Sequence, residues 1–231
     1  MITPNSTCDS PEAPTIATYT AKDFRSSLKP IWCPGCGDFG VVTAIYRALV
    51  AVGRPPHEIA FVSGIGCSSR IPGYTTAYGF NSVHGRALPI AQGIKMASPE
   101  LLVLAAGGDG DGFSIGGGHV PHTVRRNSDI TYIVMDNQIY GLTKGQVSPT
   151  SKRGTKTPTS VYGSMEEPVN PLLDVLAYGA GFVAHDRITY LGPGQSVFEA
   201  AAPMFRELAT AFNLAGQLEL TSHREESAST A

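Results

Sequence analysis

Three short apolar runs constrain the fold of this chain more than any other feature. IAFVS over Ile59–Ser63, LLVLAA over 101–106 and ITYIVM over 130–135 each read as a strand buried on both faces. The segments between them have helical spacing instead of tight hairpin turns. Phe39, Val42, Ile45, Tyr46 and Leu49 recur at helical intervals over Asp38–Val52, with Asp38 in the N-cap place. Residues 86–97 form a second helical pattern, with Pro89 in the first turn, where it is tolerated. Residues 114–126 form a third, weakened by Gly116, Gly117 and Gly118. This alternation predicts an α/β fold, a mostly parallel sheet flanked by helices.

The rest of the chain is less patterned. Residues 1–30 are rich in Ser, Thr and Pro and lack sustained periodicity. The expected organisation is an arm over 1–23, one domain over 24–220 and a frayed polar tail over 221–231. Residues 140–170 hold many Gly, Pro, Ser and Thr without periodicity, which marks a functional or disordered stretch. A helix is expected over 171–178, a short strand over 181–184, a helix over 196–212 and a last strand over 217–220.

Charge and hydropathy narrow the function. The 17 basic and 19 acidic side chains nearly cancel, which argues against a nucleic-acid binder. No apolar run reaches the roughly 20 residues that span a bilayer, and 1–20 has no secretory pattern, so the cytoplasm is the expected location. Charged residues make up only 16% of the chain, a value that fits extensive surface shared with a partner.

Chemistry concentrates where two of the strands end. Gly108-Asp109-Gly110 follows the second apolar run and Asp136-Asn137 follows the third. Ligands of open α/β sheets bind at carboxyl strand ends, so Asp109 and Asn137 can converge on one oxygen-coordinated cation, for which Mg²⁺ is suited. The flanking glycines allow close backbone approach to a diphosphate. The bland alternative is a simple turn and a loop asparagine.

GDG, a βα segment and a closing Asn resemble the thiamine diphosphate-binding motif. Four longer stretches resemble the β subunit of 2-oxoacid:ferredoxin oxidoreductases. They are Trp32-Cys33-Pro34-Gly35-Cys36-Gly37-Asp38, Gly64-Ile65-Gly66-Cys67-Ser68-Ser69-Arg70, His84-Gly85-Arg86-Ala87 and Asn137-Gln138-Ile139-Tyr140-Gly141-Leu142-Thr143-Lys144-Gly145-Gln146. Ser148-Pro149-Thr150-Ser151 also matches, and the likeness runs over about residues 24–184. It implies the thiamine diphosphate-binding fold. It further implies that Asp109, the Asn137 side chain and the Ile139 carbonyl hold Mg²⁺. Ile65, Gly66, Cys67, Ser68, His84, Gly108, Gly110, Leu142 and Thr143 would line thiamine diphosphate. Asp136 stands where the family usually has the first Asn of a pair.

Two residues are candidates for catalysis. His84 either donates to a phosphate or polarises the substrate carbonyl. Lys144 is either a solvated surface lysine or the cation that meets the distal carboxylate of 2-oxoglutarate or an anionic group of coenzyme A.

Cys33-x-x-Cys36 places two thiols on one tight turn, and Cys67 lies in a second. The family uses three such cysteines and a distant fourth for a [4Fe-4S] cluster, which needs four thiolates. The remaining cysteine, Cys8, lies in the arm. The fourth ligand is therefore unassigned, with Cys8, His223, a non-protein or partner ligand, a degenerate site and zinc all open.

The resemblance implies coenzyme A-dependent oxidative decarboxylation of a 2-oxoacid, 2-oxoglutarate being favoured, with electrons passed to ferredoxin. It also implies an α subunit, in a heterodimer or dimer of heterodimers. The alternatives are a non-oxidative thiamine-dependent decarboxylase or synthase subunit without a cluster, and a catalytically degenerate structural partner.

Overall fold

The computed structural model describes residues 19–185. The expected helix over 196–212, the strand over 217–220, the tail and most of the arm lie outside these residues. Four parallel strands form the main sheet: β1 (Ile59–Ser63), β2 (Tyr78–Asn81), β3 (Leu102–Gly108) and β4 (Thr131–Met135), in the spatial order β2-β1-β3-β4. The three apolar runs are β1, β3 and β4. β2 was not expected: its YGFN sequence is exposed throughout, and it joins the sheet through backbone pairing to β1.

Alternate residues of β1 feed two separate cores. Ile59 and Phe61 pack with Leu104, Ala106 and Ile133 against Val42, Ile45 and Leu49 of α1 (Asp38–Val52). Ala60 and Val62 pack with Val103 and Ala105 against Ala87 and Ala91. The latter two belong to the helix over Ala87–Ala97, which follows the short helix α2 (Ile71–Tyr74) and is α3. Small residues on both sides let α3 lie close to the sheet. Burying this apolar surface on both faces is the main drive for the fold.

Several local expectations change. Gly37, not Asp38, is the N-cap of α1, and Asp38 is its first helical residue, with no side-chain cap bond. The segment 114–126 is not one helix. It divides into a turn of π-helix over Asp111–Ile115, a 3-10 turn over Gly117–His119 and α4 (Val120–Arg126). The three consecutive glycines explain the break, since each costs a helix interior about 1 kcal/mol. Phe24 is wholly buried and Arg25 bridges Thr75, so part of the segment 1–30 is anchored to the domain. Residues 139–147 hold a small antiparallel hairpin, β5 (Ile139–Tyr140) and β6 (Gln146–Val147). Residues 171–178 form α5 (Pro171–Ala177), capped by the Asn170 side chain. No strand forms over 181–184.

Candidate active site

Because the strands are parallel, all four carboxyl ends open on one edge of the sheet. The loops that leave that edge carry most of the candidate residues: Ile65, Gly66, Cys67 and Ser68 after β1, His84 after β2, Asp109 and Gly110 after β3, and Asn137 after β4. Gly108 is the last residue of β3, and Ile139 opens the hairpin whose turn carries Leu142, Thr143 and Lys144. Such edges are where ligands of open α/β sheets bind.

Strand register brings the two acidic loops together. Gly108 pairs with Met135, so Asp109 and Asp136 begin neighbouring loops side by side. Asp109 is buried, and its Oδ2 accepts from the Thr150 hydroxyl at 2.6 Å. The same hydroxyl lies 2.7 Å from Oδ1 of Asp136. The Asn137 side chain accepts from the Ile139 N–H at 3.1 Å and shapes the turn beyond β4. Tyr140 donates its hydroxyl to the Gly110 carbonyl at 3.2 Å, tying the hairpin to the GDG loop. Carboxylate, amide oxygen and backbone carbonyl are oxygen donors of the kind that Mg²⁺ takes, so this set fits the ion.

Asp111, the second acid of GDGDG, was not singled out from the sequence. It is buried, and its Oδ1 accepts from the Ile65 N–H at 2.9 Å and the Gly85 N–H at 2.8 Å. His84 Nδ1 lies 2.7 Å from the same oxygen, though off the line of a directed hydrogen bond. One carboxylate thus joins the loops after β1, β2 and β3. Its other oxygen faces Gly64 and Gly107, where a Cβ on Gly64 would fall inside the carboxylate. Tyr132 lies behind this group. Burial, then Asp111 and Asp109, push its hydroxyl well above the usual phenol range. The extra acid of GDGDG was the one sequence signal for Asp111.

Gly66 has φ 123° and open space where a side chain would stand. Only glycine adopts this conformation readily, and the exposed backbone there suits a diphosphate. Lys144 is exposed and also left-handed, at φ 80°. The Thr143 hydroxyl donates to Gln146 Oε1, and the Gln146 amide returns a bond to the Thr143 carbonyl at 2.8 Å, which braces the turn.

The cysteine loops are also brought close. Cys36 N–H donates to the Cys33 carbonyl at 3.0 Å, and the Trp32 indole donates to the Cys67 carbonyl at 2.8 Å. Cys33 is exposed, while Cys36 and Cys67 are half-buried. Burial pushes both of the latter thiols up, and the neighbouring acid Asp38 adds to this at Cys67. No group of three metal-binding side chains is assembled among the described residues. The donor chemistry suits iron, but three thiols fall one short of a four-thiolate cluster. The fit is incomplete.

The family comparison agrees with this geometry. Residues 64–218 match the thiamine pyrophosphate enzyme, C-terminal TPP binding domain. The chain belongs to that family and, within it, to the β subunits of 2-oxoacid:ferredoxin oxidoreductases. It is 45% identical to 2-oxoglutarate oxidoreductase subunit KorB of Mycobacterium tuberculosis, over 79% of this chain and 49% of that one. Identity is 46% to 2-oxoacid:ferredoxin oxidoreductase 2, subunit beta, of Aeropyrum pernix, over 70% and 52%. With 2-oxoglutarate synthase subunit KorB of Archaeoglobus fulgidus it is 44%, over 77% and 67%. The chain spans about half the length of the first two. A solved 2-oxoglutarate:ferredoxin oxidoreductase from Magnetococcus marinus, with 2-oxoglutarate, coenzyme A and succinyl-CoA bound, is similar with a TM-score of 0.69 and 52% identity. That likeness covers 70% of this chain and 56% of that one. No described helix is long and apolar enough to cross a membrane.

Proposed function

We propose that this chain is the cofactor-binding part of a 2-oxoacid:ferredoxin oxidoreductase, with 2-oxoglutarate as the favoured substrate. The reaction would convert a 2-oxoacid and coenzyme A to an acyl-CoA and CO₂, with two electrons leaving to two ferredoxins. The observation that carries this reading is the register pair Gly108–Met135, which sets Asp109 beside the Asp136-Asn137 turn. The 52% identity to the substrate-bound 2-oxoglutarate enzyme supports the choice of substrate.

Asp109, the Asn137 side chain and the Ile139 carbonyl would hold Mg²⁺. Ile65, Gly66, Cys67, Ser68, Gly108, Gly110, Leu142 and Thr143 would line thiamine diphosphate, with the glycines admitting its diphosphate. When bound, this cofactor supplies the electron sink that decarboxylation of a 2-oxoacid needs. His84 sits beside Asp111, which leaves Nε2 as the ring atom for a phosphate or a substrate carbonyl. The Lys144 ammonium would pair with the distal carboxylate of 2-oxoglutarate or with an anionic group of coenzyme A. Cys33, Cys36 and Cys67 would supply three ligands of a [4Fe-4S] cluster. An α subunit would complete the enzyme, and the cytoplasm is the proposed location.

The test is the co-expressed complex, purified without oxygen. Thiamine diphosphate binding that requires Mg²⁺ and is lost in Asp109→Asn is expected, together with 2-oxoglutarate-dependent ferredoxin reduction and four irons per chain for one such cluster. The same preparation separates a second reading, a non-oxidative thiamine-dependent subunit. An iron-free complex that decarboxylates without reducing ferredoxin would establish that second reading and sink the first.

A further inference from the structure

We infer that Thr150 is a positioning residue that orients Asp109 for its cation and couples it to Asp136. The inference rests on the proposed Mg²⁺ site and adds to it a residue that is not itself a ligand. Thr150 is 4% exposed and Asp109 2%, so a lost hydrogen bond there is not simply replaced by bulk water. Thr150 Oγ1 stands 2.6 Å from Asp109 Oδ2 and 2.7 Å from Asp136 Oδ1. A hydroxyl has one proton, so it donates to one of these oxygens at a time. The other contact sets a carboxylate oxygen against an oxygen lone pair. Two acids drawn onto one hydroxyl concentrate negative charge at the ends of β3 and β4. A divalent cation on Asp109 relieves that charge.

The surrounding turn keeps Thr150 in place. The Ser148 N–H donates to Ser151 Oγ at 2.7 Å, and the Ser151 hydroxyl donates to the Gln138 carbonyl at 2.6 Å. Ser151 N–H donates back to the Ser148 carbonyl at 3.0 Å. The turn is therefore bound to the same loop that carries Asp136 and Asn137. Thr150 holds Oδ2 of Asp109, and this bond fixes how the carboxylate is turned. Outer partners of this kind orient metal ligands and affect affinity strongly.

The experiment uses the full-length chain co-purified with its partner subunit. Mn²⁺ serves as the probe, followed by loss of the free-ion magnetic resonance signal in the presence of thiamine diphosphate. Thr150→Val keeps the shape and removes the hydroxyl, and Thr150→Ser keeps the hydroxyl. Val should weaken Mn²⁺ binding by about 10- to 100-fold, while Ser stays close to wild type. The metal-free unfolding midpoint of each variant checks the fold. If Val does not fold, Thr150→Cys, with its weak S–H donor, carries the same expectation of weakened binding. A folded Val or Cys variant that binds Mn²⁺ as wild type does overturns the inference. So does a Ser variant as weak as Val, because the methyl packing would then be the cause. Wild-type protein that takes up neither Mn²⁺ nor thiamine diphosphate overturns the proposed function itself, and this inference with it.

Discussion

His84 and Asp111 meet at the edge of the sheet, with Nδ1 of the ring 2.7 Å from Oδ1 of the carboxylate. The same oxygen receives the backbone N–H groups of Ile65 and Gly85. Removing the carboxylate in Asp111→Ala strands both donors. Each loses a charge-assisted bond, so a cost of about 3 kcal/mol or more is expected in denaturant unfolding. Asp111→Asn keeps an acceptor oxygen for the N–H groups and should lose less. A cost in the Ala variant within about 0.5 kcal/mol, that of an ordinary surface substitution, would contradict the clamp.

Two glycines should respond to alanine in opposite directions. A Cβ on Gly64 meets the Asp111 carboxylate, so Gly64→Ala should unfold the chain or displace the loop after β1. Gly93 lies within α3 with nothing within 4 Å of a Cβ, so Gly93→Ala should gain about 1 kcal/mol. Thermal unfolding of the pair measures both signs.

Lys144 combines a left-handed backbone with an exposed charge. Lys144→Gly removes a backbone cost of about 1 kcal/mol and should raise stability. If the ammonium meets the distal carboxylate of 2-oxoglutarate, the same variant raises KM for that substrate about tenfold. KM for a 2-oxoacid with one carboxylate should then be unchanged. Equal losses with both substrates would detach Lys144 from substrate selection.

Tyr46 donates its hydroxyl to the Tyr74 carbonyl at 2.7 Å, and burial pushes its pKa up to about 12 from 10.0. The folded state therefore keeps a proton that the unfolded chain releases first. Its contribution is full below pH 10.0 and is lost as pH rises through about 12. In Tyr46→Phe the stability should be lower at neutral pH and flatter across that alkaline window. Urea midpoints across this window, compared with wild type, provide the check.

The readable parts of the fold are those whose signal is local. α1 and β1 have the expected bounds because helical spacing and a short apolar run each lie within one segment. β2 was illegible because both of its faces are exposed and backbone bonds to β1 alone recruit it. The strand expected over 181–184 does not form, because a short apolar run by itself does not report whether a neighbouring strand pairs with it. The places of Asp109 and Asn137 just beyond β3 and β4 were legible from the motif that holds them. Asp111 was not, because its role comes from two N–H groups and a ring brought from other loops.

By itself, the sequence determined the alternating α/β class, the acidic and glycine-rich turns at the strand ends, and the family through its ordered motifs. Only the tertiary structure decided which of those turns touch. Parallel pairing of β3 and β4 in one register sets Asp109 beside Asp136, and the distant Thr150 closes over both. The reason is that a hydrogen bond depends on separation in space, while spacing along a chain reports only neighbours on one element.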